Sequence, residues 1–345
     1  MGETAGLRSV RSGWAAFTAR HAWARWVQRW GISLGSLAFG VATLLVFRRG
    51  IEYFPWFVGY LLLLWLAGVV FAETRRRLAP RGPRLLWLAV DYTVQSLFHG
   101  LLVFLLPIYY AGTTLTSANV GCLLFLGVAA VLTSVDPWYR AILTRYRRIE
   151  ILLFGFGLFA SLNVAFPLVG VQPTWALPLT GVFSLLALAP VLHRGPKRSW
   201  PAAPLRAGLW GVVAALLLWL LRAYIPPVPM HMTRGTFARS VSLLEPQETV
   251  TSLPVSEARA WGGLTAFTAI AEPAGLREPI YHVWRKDGIV VARVPLALMG
   301  VEHPGGFRTY SRKSGLGANP AGSWMVDVLT TYDQLIGRIH LVITP

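Results

Sequence analysis

Asp91, Gln95 and His99 stand at i, i+4 and i+8 in an otherwise apolar run, so on a helix they form one stripe with Ser96 beside it. A carboxylate and an imidazole on one stripe at membrane depth could relay protons or hold a cation, and an ionisable group there is costly enough to be a functional hypothesis by default. The alternative is structural. Asp91 lies about two turns from Arg84, within reach of a snorkelling arginine, while Gln95 and His99 hydrogen-bond between helices. The structural alternative carries more weight, because no second acidic residue falls in mid-membrane elsewhere. Asn163 is the other mid-span amide and a candidate partner for the stripe.

A second group lies in the C-terminal third. Arg308, Tyr310 and Arg312 alternate along one strand-like run, and with Trp284 and Arg293 they could form a basic, aromatic patch for an anionic glycan or lipid headgroup. A one-residue slip of register would instead send Trp284 into a core. Met230-His231-Met232 has soft ligands suited to copper, but on a strand the two methionines point away from the histidine, so no metal site is expected. No cofactor is implied either. HExxH, a Walker loop and CxxC are absent, and the GxG at Gly315–Gly317 follows no α/β pattern. Ser311, His340 and Asp327 supply the residue types of a hydrolase triad, but such types occur in any domain of this size. A non-enzymatic role is therefore the leading expectation.

The elements that must position these groups are of two kinds. With 54% hydrophobic residues, 15 Trp, 14% charge and a mean hydropathy of +0.52, the chain is too apolar for one soluble domain. Seven apolar segments are each near the ~20 residues that cross a bilayer. They are Gly31–Phe47, Tyr53–Ala72, Leu85–Leu106, Ala118–Val135, Ile151–Val169, Thr174–Leu192 and Leu205–Ile225. Before them, residues 1–30 form a basic juxtamembrane segment in which Trp23, Trp26 and Trp30 share a helix face; a cleaved signal peptide is not expected. Asp136-Pro137 reads as the cap of a basic helix. The lone Cys122 lies in an apolar run and is read as a packing residue.

The net charge of +17 would ordinarily raise nucleic acid, but residues 1–227 hold 21 Lys+Arg against 6 Asp+Glu, and residues 228–345 hold 11 against 9. The excess belongs to short loops of the apolar half. Alternate loops carry 18 Lys+Arg against two, which places the N-terminus in the cytoplasm and, with an odd number of spans, the tail outside. No nucleic-acid partner follows.

Beyond the Pro226–Pro229 exit, residues 230–345 read as strands: Arg234–Leu243, Leu264–Ala271, Ile280–Lys286, Ile289–Leu296, Phe307–Arg312, Trp324–Thr330 and Leu335–Thr344. Glu245 to Trp261 reads as a loop with a helical turn. Asp287-Gly288 predicts a two-residue hairpin, which with a regular register puts Tyr281, Val283, Val290, Ala292 and Val294 on the inner face and His282, Trp284 and Arg293 outside. The expected fold class is an α-helical membrane bundle of about seven transmembrane helices, residues 31–225, followed by an all-β, immunoglobulin-like sandwich.

The runs GLTAFTAI, GLREPIYHVWRKDGIVVARVPL, FRTYSRKSG, GSWMVDVLT and QLIGRIHLVIT resemble the bacterial domain of unknown function 2914. With TVQSL, SVDPWY and IPPVP, the whole chain is similar to an uncharacterised proteobacterial membrane family ending in that domain. The resemblance implies an inner-membrane protein with a periplasmic module and supplies no catalytic residues. The expected role is an envelope binding or scaffold protein, its partners the lipid bilayer and an envelope protein, glycan or anionic lipid. Alternatives are a transporter or sensor using Asp91, Gln95, His99 and Asn163, and a lipid-modifying enzyme.

Overall fold

The computed structural model describes residues 84–135, 146–189, 202–272, 279–296 and 305–345, with 59–60, 63–67 and positions 21, 38 and 139. The first two expected spans lie mostly outside the described residues, and Trp23, Trp26, Trp30 and Asp136-Pro137 lie wholly outside them. Five described helices follow one another: α1 Arg84–Gly112, α2 Val120–Ser134, α3 Arg147–Leu168, α4 Pro173–Ala187 and α5 Ala202–Leu220. They are apolar nearly all round, the mark of helices solvated by protein or lipid rather than by water. Two contain stretches long and apolar enough to cross a membrane, Gln95–Gly112 and Arg148–Leu168; Val120–Ser134, Thr174–Ala187 and Pro204–Leu220 are shorter apolar helices.

Contacts divide the chain into two units, Met1–Phe104 with Gly127–Gly157, and Leu105–Leu126 with Leu158–Pro345. In the first, Phe98 packs into the groove that Gly157 leaves open, where a Cβ would collide with its ring, and its ring lies 6.0 Å from that of Phe154. In the second, α4 and α5 approach closely because both carry glycine at the crossing. A Cβ at Gly181 would meet the Ala215 backbone at 3.0 Å, and one at Gly211 the Val182 backbone at 3.0 Å.

The second unit continues through a 3₁₀ turn, Arg222–Tyr224, into nine strands among the described residues. They are β1 His231–Ser242, β2 Glu245–Val250, β3 Ser252–Pro254, β4 Gly263–Ala271, β5 Ile280–Lys286, β6 Ile289–Leu296, β7 Phe307–Ser314, β8 Gly322–Thr330 and β9 Leu335–Thr344. A short helix α6, Val255–Ala260, follows β3. One sheet has the order β2-β1-β4-β7 and the other β3-β9-β8-β5-β6. Both contribute to one core, in which Phe237, Leu264 and Ala266 of the first meet Trp284, Trp324, Val326 and Ile339 of the second. The rings of Phe237 and Trp284 meet edge to face at 5.7 Å.

Two expectations are corrected. The seven expected strands are all present, but β2 and β3 occupy the stretch read as loop. EPQET hides β2 because it is polar and contains a proline, and a strand at a sheet edge tolerates both. Asp287 and Gly288 do form the two-residue turn, with φ of 49° and 83°. The hairpin beyond it is bulged, however: Trp284 pairs with Ala292 and Arg285 with Val290, leaving Val291 unpaired. That extra residue inverts the expected faces of β5 and leaves those of β6 as expected: His282 and Trp284 point inward with Ala292 and Val294, while Tyr281 and Val283 share the outer face with Arg293, whose guanidinium lies 4.3 Å over the Tyr281 ring.

Candidate functional site

Across the outer face of the five-stranded sheet, one row of cross-strand partners reads Arg293, Val283, Asp327 and Arg338 on β6, β5, β8 and β9. Asp327 is buried at the centre of the sheet, and its carboxylate is shared: Arg285 Nε donates to Oδ2 at 2.9 Å and Arg338 Nε donates to Oδ1 at 2.5 Å. A buried carboxylate is tolerable only when so paired. One step outward, the half-exposed Asp333 accepts from Arg293 Nη2 at 3.0 Å and lies 3.7 Å from Arg222. Four guanidinium groups thus surround two carboxylates.

All of these except Arg222 line a cleft of about 440 Å³. Arg285, Arg293, Arg338, Asp327 and Asp333 supply its polar wall; Val283, Val290, Leu329 and Leu335 supply the apolar one; Ser117, Ala118 and Ala223 close it from the helix side. The arginines are not saturated. Arg285 uses Nε on Asp327 and Nη1 on the Gly288 carbonyl at 3.2 Å, and Arg338 uses Nε on Asp327 and Nη1 on the Thr116 carbonyl at 3.4 Å. Each keeps its Nη2 without a hydrogen-bond partner among the described residues, and Arg293 keeps Nη1 and Nε. Guanidinium N–H groups converging on a half-apolar cleft are an arrangement for binding an oxyanion.

The cleft is held against the helix ends. Gln334 Nε2 donates to the Ile225 carbonyl at 3.0 Å, Arg222 Nε to the Tyr332 carbonyl at 2.8 Å and Asn119 Nδ2 to the Leu335 carbonyl at 3.4 Å. Val228 packs on Gly112, where a Cβ would stand 2.7 Å from its Cγ1.

The residues singled out in the sequence are distributed differently. Trp284 is not on a surface patch: it is fully buried and donates from Nε1 to Ser311 Oγ at 2.9 Å. Arg308 bonds Glu245 and the Leu244 carbonyl, and Arg312 bonds the carbonyls of Arg239 and Trp261, both at 2.8 Å. These two arginines and the exposed Tyr310 belong to the four-stranded sheet, and Arg293 belongs to the other. Of the five, Arg293 alone lines the cleft. The charged cleft residues that sequence reasoning missed are Arg285, Arg338 and Asp333, with Asp327 noticed only as a residue type. Except for Asp333, their signal was a charged residue in the middle of strands otherwise fit for burial, as in WMVDVLT and LIGRIHLVIT.

Ser311 also accepts or donates at 2.8 Å with His282 Nδ1, while His282 Nε2 meets Thr268 Oγ1 at 3.0 Å and Thr268 meets Thr309 at 2.9 Å. Burial pushes the His282 imidazole down to about 3, so it is neutral. This serine–histidine pair lies sealed between the sheets, out of reach of a substrate. Met230 is buried, and His231 Nδ1 lies 3.0 Å from the Pro229 carbonyl.

In the first unit, Gln95 Nε2 donates to the Thr133 carbonyl at 3.1 Å, and His99 Nδ1 lies 3.4 Å from Thr133 Oγ1 and 3.0 Å from Ser134 Oγ. Both hydroxyls also donate backward along α2, to Ala129 or Ala130 carbonyls. His99 Nε2 and Ser96 Oγ are buried without a hydrogen-bond partner among the described residues. Asp91 is helical, but its side chain lies outside the described ones. Asn163, in the second unit, donates to Tyr109 Oη at 3.3 Å and to the Pro226 carbonyl at 3.5 Å.

Residues 277–343 match the family model described as Protein of unknown function (DUF2914), a shorter reach than the resemblance, which starts at GLTAFTAI. Neither a curated protein nor a solved structure matches the chain. A second model, Family of unknown function (DUF5924), matches residues 13–265, from the basic segment through the helices and into β4. With that match covering well over half its length, the chain belongs to the DUF5924 family, joined to a DUF2914 region.

Proposed function

We propose that the chain is a multi-pass protein of the bacterial inner membrane, with seven spans between residues 31 and 225, a cytoplasmic N-terminus, and a periplasmic immunoglobulin-like sandwich over residues 230–345 behind a 226–229 stalk. Its role is non-enzymatic: it binds an anionic ligand in the Arg285–Arg293–Arg338 cleft. The observation that carries this reading is the arginine excess there, three guanidinium groups about two carboxylates beside an apolar wall, with Arg222 a fourth just outside it. The loop-charge bias supports the orientation, and the outward-facing Leu216, Leu217 and Leu220 of α5 support contact with lipid. The test is a thermal-shift titration of the purified full chain with anionic ligands, both water-soluble oxyanions and anionic lipids. Stabilisation that is lost in Arg293→Gln is expected, and no response to any anion would contradict the reading.

A second reading, a transporter or sensor centred on α1, is favoured by one observation: the unsatisfied His99 Nε2 and Ser96 Oγ. If His99→Ala abolishes the cellular function while Arg293→Gln leaves it intact, the second reading replaces the first.

A further inference from the structure

The cleft opens where the apolar helices end. Ala223 follows the last residue of α5 by three positions, and Ser117 and Ala118 lie just before α2, so its helix-side wall is within three residues of helix ends along the chain. Trp219 and Tyr224 flank this point, 45% and 55% exposed, and Arg222 stacks on Trp219 at 4.5 Å. Exposed aromatic rings beside an arginine at the end of an apolar helix are the pattern of a bilayer interface. The cleft therefore sits at headgroup level on the reading proposed above, and its two walls match the two parts of a lipid at that depth. The guanidinium groups suit a phosphate, and Val283, Val290, Leu329 and Leu335 suit the glycerol backbone and the first methylenes of an acyl chain.

We infer that the cleft binds the phosphate of an anionic phospholipid from the adjoining leaflet, with its acyl chains left in the membrane. The inference rests on the proposed anion-binding function and specifies its ligand. Arg285 and Arg338 contribute the inner donors, already oriented by Asp327. Arg293 contributes the outer ones, restrained by Asp333. Asp333 is the one carboxylate that can be neutralised without disturbing the fold. It is 44% exposed, and its φ of 61° is a conformation that asparagine adopts readily.

The experiment uses delipidated full-length protein in a neutral detergent. The probes are dihexanoyl phosphatidylglycerol, dihexanoyl phosphatidylcholine and glycerol 3-phosphate, titrated calorimetrically. Phosphatidylglycerol is expected to bind about tenfold more tightly than either other probe, Arg293→Gln to weaken it about tenfold, and Asp333→Asn to strengthen it several-fold. The variants move affinity in opposite directions, so a folding defect cannot imitate the result. If glycerol 3-phosphate binds as tightly as the lipid, the cleft takes a soluble phosphate: the lipid inference falls and the anion-binding function stands. Equal binding of phosphatidylcholine overturns the role of charge. If no anion binds, both fall.

Discussion

Gln334, in the turn between β8 and β9, donates from its side-chain amide to the backbone carbonyl of Ile225 at 3.0 Å, where the 3₁₀ turn after the last helix gives way to Pro226 and Pro227. Both residues are buried. Without this bond the Ile225 carbonyl would be left unsatisfied, so Gln334→Ala should destabilise the fold by about 1–3 kcal/mol. Thermal unfolding and limited proteolysis near Pro226–Pro229 check this; unchanged melting and cleavage would show that the bond does not fasten the β-sheet region to the helix end.

The His282 network gives a pH dependence of definite sign. The imidazole titrates near its usual 6.5 when unfolded and near 3 when buried, so the unfolded chain binds the extra proton between those values. This contribution is fully present above pH 6.5 and is lost as pH falls, reaching on the order of 4 kcal/mol by pH 3. Urea unfolding of wild type and His282→Asn across pH 7 to 4, followed by tryptophan fluorescence, should show a shallower acid dependence in the variant even though its stability at pH 7 is lower.

The two cleft carboxylates should respond unequally to amidation. Asp327→Asn removes the charge that compensates Arg285 and Arg338 at a buried position and should cost about 3–5 kcal/mol. Asp333→Asn breaks exposed pairs and should cost less than about 1 kcal/mol. Melting temperatures of the two variants decide it, and equal losses would contradict the assigned burial.

The strands themselves were legible because period-two alternation and the Asp287-Gly288 turn are local properties. The cleft was not, for two reasons that lie in particular residues. The bulge at Val291 inverts which side chains share a face, and β-propensity carries no mark of a bulge without a glycine. Arg285, Asp327 and Arg338 come from three strands whose adjacency is set by the sheet order β9-β8-β5, and that order is not encoded in any one segment. His99 shows the complementary case. Its helical stripe with Gln95 could be read from spacing, but the Thr133 and Ser134 hydroxyls that meet its ring depend on how α2 packs.

One turn works against its own residue types. Leu243 and Leu244 connect β1 to β2 with φ of 51° and 58°, and Leu243 is 96% exposed. A two-residue turn with both φ positive favours Asn-Gly. Leu243→Asn with Leu244→Gly should therefore stabilise the protein by about 1 kcal/mol, read as a rise in urea midpoint at unchanged slope. A fall in midpoint would mean that the leucines contribute packing that outweighs their strain.

The central claim is an anion-binding cleft that opens to the outer side of the membrane, and the side on which Arg293 is reachable tests it most directly. In a Cys122→Ala background, Arg293→Cys gives one thiol at the cleft mouth. A membrane-impermeant maleimide applied to intact spheroplasts should label it before lysis. Labelling only after the membrane is broken would place the cleft in the cytoplasm and contradict the account.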